Sequence, residues 1–96
     1  MRLLRVISSP KSEKKYRAVF EMDNGRIKNT DFGATGMDDY TITHSDEQRA
    51  RYRFRHKKDL RTKDPTRAGF LSYYLLWGNS ISLRENIYQY RRQFGL

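Results

Sequence analysis

The stretch Lys15-Tyr16-Arg17-Ala18-Val19-Phe20-Glu21-Met22-Asp23-Asn24-Gly25-Arg26-Ile27-Lys28 decides the fold class. Tyr16, Ala18, Phe20 and Met22 alternate with Arg17, Val19 and Glu21, the period of two that sets one series on the buried face of a sheet. Asn24-Gly25 follows at once. Asn tolerates positive φ and Gly adopts it freely, as both central residues of a type I′ turn require, so the pair predicts a hairpin into residues 26–32. A two-residue turn places Met22 opposite Ile27 and Glu21 opposite Lys28, and sends Phe32 to the other face unless a bulge intervenes.

Upstream, residues 2–7 are rich in Leu, Val and Ile and run into Ser8-Ser9-Pro10-Lys11-Ser12, whose proline ends a short first strand. Downstream, residues 34–44 read as an ordered loop. Ser45-Asp46-Glu47-Gln48 is a capping box that starts a basic helix over 45–60, with acids in its first turn and cations in its last. Asp64-Pro65 predicts a second helix over 64–77, ended by Gly78, with almost no polar face. Ser82-Leu83-Arg84-Glu85 is a second capping box, opening a helix over 82–94 that Gly95 terminates. Three strands before three helices give an α+β domain over residues 1–96, with helices on one face of a small antiparallel sheet.

A chain of 96 residues fits one domain with a thin stability margin. Hydrophobic residues make up 36% and aromatics 14%, so Tyr, Phe and Trp must supply much of the core. Twenty Lys and Arg against eleven Asp and Glu give a net charge of +9, which attracts phosphate, anionic lipid or an acidic protein surface. With no cysteine, disulfides and thiolate metal sites are excluded. The apolar run at the N-terminus contains Arg2 and Arg5 and is too short for a signal-peptide core or a membrane span, so a soluble or peripheral protein without a transmembrane segment is expected.

No nucleophile elbow, phosphate-binding glycine loop, metal-spaced histidine cluster or cysteine nucleophile occurs, so the sequence predicts binding without catalysis, cofactor or metal. Asp38, Asp39, His44 and His56 are the best catalytic candidates. The two acids read more simply as turn caps or partners of nearby arginines, and His44 as a corner residue. Gly33, Gly36, Asp38, Asp39 and Tyr40 are assigned to a structural loop.

The run Arg49, Arg51, Arg53, Arg55, His56, Lys57, Lys58, continued by Arg61, is the sharpest feature. On a helix Arg49, Arg53 and Lys57 share one side, and Arg51, Arg55 and Lys58 lie roughly 160° to 200° round. Both flanks are therefore basic. Ala50 and Phe54 form a narrow strip that rests the helix on the core, with Tyr52 opposite. These cations, Arg61 included, are the candidate anion or partner site, balanced against a solvated surface with local ion pairs. Contact with nucleic acid would be mainly to phosphate and salt-sensitive. The apolar excess of residues 70–77 suggests a core element that also forms an oligomer or docking interface, through Leu71, Tyr73, Tyr74 and Trp77.

Three separated motifs carry a resemblance: Phe32-Gly33-Ala34-Thr35-Gly36-Met37-Asp38-Asp39-Tyr40-Thr41, then Arg51-Tyr52 with Arg55-His56-Lys57-Lys58, then Ala68-Gly69-Phe70-Leu71-Ser72 to Leu75-Leu76-Trp77. Together they make the chain similar to a family of small basic proteins of nucleocytoplasmic large DNA viruses, algal and amoebal giant viruses among them. The resemblance implies a non-enzymatic virion protein, present in host cytoplasm or nucleus during assembly. It would bridge neighbouring virion or capsid proteins as a minor capsid or cement component, or contact packaged DNA without sequence preference.

Overall fold

A computed structural model describes residues 1–96 as a three-stranded antiparallel sheet followed by helices, an α+β domain. Strands β1 (Arg2–Ser8), β2 (Lys14–Glu21) and β3 (Ile27–Ala34) lie in sequence order. The hairpin forms where Asn24-Gly25 predicts it, but its turn has three residues. Met22 exchanges backbone bonds with Arg26 and Gly25, and Gly25 sits at φ +80 while Asn24 does not take positive φ. This is the type I turn with a glycine bulge, and it shifts the register by one residue from the two-residue expectation. Glu21 faces Ile27, Phe20 faces Lys28 and Tyr16 faces Phe32. Phe32 thus shares the inner face with Tyr16, Ala18 and Phe20 and is fully buried, the placement that an intervening bulge brings about.

The loop expected over 34–44 is shorter, because residues from Tyr40 to Thr43 coil into a single helical turn, α1, capped by the Asp39 side chain on the Thr41 amide. Helix α2 (Asp46–His56) starts at its serine cap and tightens into a 3₁₀ segment (Lys57–Thr62). Only half of its capping box forms: Ser45 Oγ accepts from the Gln48 amide, while Gln48 Oε1 accepts from Thr43 instead of reaching Ser45.

The aromatic helix begins at Ala68, four residues after Asp64. Asp64 Oδ1 accepts from both the amide and the hydroxyl of Thr66, an Asx turn that competes with helix initiation. The sheet holds that turn in place. Thr30 donates to Thr66 O at 2.7 Å, and Lys28 Nζ to Thr66 Oγ1 at 2.7 Å. Helix α3 (Ala68–Leu71) then widens into a π-helical turn (Ser72–Leu76), closed by Trp77 N–H on Ser72 O. Helix α4 (Leu83–Phe94) is capped by Ser82 on the Glu85 amide and by Gly95 in the left-handed region, but again only half of the capping box forms: the Ser82 amide donates to Ser80 Oγ and the Glu85 carboxylate accepts from Gln89.

The aromatic helix is the centre of the molecule. Phe70, Leu71, Leu75, Leu76 and Trp77 join Leu3, Ala18, Phe20 and Phe32 of the sheet and Tyr90 of α4 in one core. Phe70, Tyr74, Tyr90 and Phe94 meet mostly edge to face, and the buried Tyr90 hydroxyl donates to Pro65 O at 2.6 Å. At the carboxyl end, Arg91 donates to Leu3 O and Leu4 O beside the bulge in β1, and Leu3 N–H donates to Leu96 O.

On the outer face of the sheet Arg17 grips Asp31 through Nε and Nη2 at 2.9 and 3.0 Å, and Ser9 donates to the same carboxylate at 2.9 Å. The Arg17 guanidinium holds the Asp31 carboxyl down at about 2. A carboxyl lowered on folding stabilises fully above its ordinary value, and that contribution fades as pH falls towards the folded value. Asp31→Asn should therefore lower the melting temperature at neutral pH, and should melt with a shallower dependence than the wild type between about pH 4 and about pH 2. Thermal unfolding of both proteins across that range checks it; parallel curves would show that the pair contributes nothing.

Candidate functional site

The side of α2 that meets the core is not the expected one. Phe54 is 84% exposed, and Arg49, Tyr52, Arg53 and His56 face inward. The reason lies at the carboxyl end of the aromatic helix, where the last carbonyls carry partial negative charge and lack intrahelical donors. Arg53 Nη1 donates to Trp77 O at 2.8 Å with its guanidinium 4.2 Å above the Tyr73 ring, and burial pulls its pKa down. Arg49 donates to Gly78 O at 2.6 Å and Asn79 Oδ1 at 2.9 Å. Two cations expected to meet a partner are thus internal caps.

Their engagement turns the opposite side of α2 to solvent. Residues 49–63 hold eight Lys and Arg against one Asp, a surplus of seven in a chain of net charge +9. The ion pairs in this stretch are Arg51 with Glu47 at 2.7 Å and His56 with Asp59 at 3.1 Å, which leaves Arg55, Lys57, Lys58 and Arg61 without an acidic partner. These cations surround Phe54. A hollow lies on each side of its ring, one lined by Arg55, Lys57, Lys58, Leu60 and Arg61, the other by Ala50, Arg51 and Arg55. The result is a basic ridge with an exposed aromatic ring at its middle.

Beside the ridge is a groove of about 570 Å³, in which the three separated motifs converge. The first contributes Phe32, Gly33, Gly36, Asp38 and Asp39, the second Tyr52, Arg55 and His56, and the third Ala68, Gly69, Ser72, Leu76 and Trp77. Gly33 sits at φ +79, and a Cβ there would lie 2.9 Å from Leu76, so glycine lets β3 approach the aromatic helix. Asp39 is buried. It caps Thr41 and receives Lys15 Nζ at 2.7 Å, so its partner is a lysine of β2 and not an arginine of α2. Asp38 is exposed, Gly36 forms the turn at φ +83, and Tyr40 donates to Asp46 beneath Arg49. Along the groove runs a column of three rings: Trp77 against Tyr52 at 4.5 Å, and Tyr52 against His56 at 4.1 Å.

The interface expected at Leu71, Tyr73, Tyr74 and Trp77 is corrected. Leu71, Tyr73 and Trp77 are buried in the chain's own core, and Tyr74 is half-buried among Phe70, Tyr90 and Phe94. The sheet, α2 and α4 between them cover the helix that reads as apolar all round. His44 is the left-handed residue that closes α1, and no three His, Asp or Glu side chains gather where they could hold a metal ion. No helix is long and apolar enough to cross a membrane.

Lys14, Lys15, Gln48 and Asp59 also line the groove and carry no sequence signal of their own. Phe54 does carry one. Of its helical neighbours Ala50, Arg51, Lys57 and Lys58, only the small Ala50 is apolar, so the strip it belongs to is too narrow to bury a ring. Removing one member of a buried ion pair exposes the cost of the other, and Lys15→Met should destabilise by about 2 kcal/mol, tempered by the bonds that Asp39 keeps from Thr41. Lys15→Met combined with Asp39→Asn should recover part of that loss. Urea unfolding of both variants checks it; equal loss in the two would show that the charge of Asp39 is not what Lys15 satisfies.

No curated protein and no solved structure matches the chain. The profile of one family matches residues 4–56, from β1 to the end of α2, and so takes in the sheet, the loop, Tyr52, Phe54, Arg55 and His56. On that match, which covers more than half of its residues, the chain belongs to the family of unknown function DUF5754.

Proposed function

We propose that this domain binds nucleic acid without sequence preference and favours single strands, as a non-enzymatic protein of a large DNA virus. The observation that carries the reading is Phe54, 84% exposed among Arg55, Lys57, Lys58 and Arg61, none of which has an acidic partner. Unpaired cations attract phosphate, and an exposed ring among them offers a face on which any base can stack. The resemblance to proteins of giant viruses supplies the setting, a virion or an infected host cell.

The bridging role among virion proteins ranks second, because the aromatic helix on which it rested is internal. One observation still favours it: an apolar groove between β1 and α4, lined by Leu4, Val6, Leu83, Ile87 and Tyr88 and edged by Arg5 and Arg84. Ile87→Asp should abolish incorporation into particles under the bridging role and leave DNA binding untouched; incorporation at wild-type level would remove that role.

The nucleic-acid reading is tested by anisotropy of a labelled oligothymidylate and a random duplex across a salt series. About four phosphate contacts predict a slope near −3 for the single strand on a log–log plot. Replacing Arg55, Lys58 and Arg61 by Ala should flatten that slope. Phe54→Ala should keep it and weaken single-strand binding by about fivefold or more. Absence of binding at low salt, or binding that the triple variant retains, would overturn the proposal.

A further inference from the structure

The ridge leaves the adjacent groove unexplained, although the three motifs meet there. We infer that the groove takes one unpaired base of a strand whose phosphates lie along the ridge, stacked on His56 as a fourth ring of the column. This rests on the nucleic-acid reading of the ridge.

Charge decides between base and phosphate. Lys15 is neutralised by Asp39 and further engaged by Met37 O, and Asp38 and Asp59 offset Lys14 and Arg55, so the groove lining has no net charge and draws an anion less than the ridge does. A neutral planar ligand does not depend on that attraction. The column also has a growing end: Tyr52 is covered on both sides by Trp77 and His56, whereas His56 has a ring on one side only and its side chain is 38% exposed. Near it are polar groups with nothing to bond to in the chain. The Asp38 carboxylate and the Gln48 amide nitrogen line the groove and have no partner in the chain, and together they offer an acceptor and a donor to a base edge. A volume of about 570 Å³ leaves more than enough room for one base. Arg55 lines both the groove and the two hollows beside Phe54, so a phosphate held there leads its own base towards the groove.

Trp77 is the sole tryptophan and lines the groove, so its emission reports on this site and not on Phe54. The protein is titrated with an oligothymidylate and with an abasic strand of the same length, following anisotropy and Trp77 emission together. Both strands should bind through their phosphates, but only the base-bearing one should change Trp77 emission, and the change should persist in Phe54→Ala. His56→Ala should weaken the base-bearing strand by about fivefold or more and leave the abasic strand unaffected. His56→Phe, which keeps a ring but loses the bond to Asp59, should restore binding. If both strands bind with the same emission response, or His56→Ala binds as wild type, the groove inference falls and the ridge stands. If neither strand binds, both fall.

Discussion

The carboxyl end of the aromatic helix governs the rest of the structure. Leu75 O, Trp77 O and Gly78 O project from it inside the molecule, and each needs a donor that the helix cannot provide. Asn86 of α4 serves Leu75 O at 2.9 Å, and Arg53 and Arg49 of α2 serve the other two. These bonds fix the position of both flanking helices, and they fix the rotation of α2 about its own axis. Once Arg49 and Arg53 point inward, Phe54, Arg55 and Lys58 cannot. A requirement for backbone satisfaction in the core thus sets which cations face outward.

The same requirement explains why the basic helix departs from its hydrophobic pattern. Hydrophobic patterning assigns Phe to the core and Arg to solvent, and over most of the chain that rule holds: the alternation in β2 and the spacing in α4 place Ala18, Phe20 and Tyr90 inside. In α2 it fails, because the inner face is built from guanidinium groups capping carbonyls and from Tyr52 and His56 stacked on Trp77. Local signals with a direct mechanism were legible, namely both serine caps, the Gly95 terminator and the Asn24-Gly25 turn. Signals that depend on a partner far along the chain were not. The turn's length moved the register by one residue, and contacts from Lys28 and Thr30 to Thr66 delayed the aromatic helix beyond Pro65.

The groove belongs to this second class. Its residues come from three stretches of sequence that only the fold brings together, and the sequence marked them by resemblance without revealing that they share a surface. Local pairing also reshapes the electrostatics. Arg17 with Asp31, Lys15 with Asp39 and Arg2 with Glu21 neutralise one another on or beside the sheet, so the excess charge is concentrated along α2 and its 3₁₀ extension. An overall charge of +9 understates how one-sided the molecule is.

The π-helical turn at Ser72–Leu76 holds one residue more than an α-helical path would need, so it acts as a phase correction within a short helix. Each residue turns an α-helix by about 100°. Were the same residues wound as an ordinary α-helix, Trp77 would turn away from Tyr52 and from Arg53 by about that angle. The ring column and the cap that orients the ridge would be lost in a single step, with every side chain that forms them still in the chain. The ridge and the groove are therefore specified as much by helical phase as by composition.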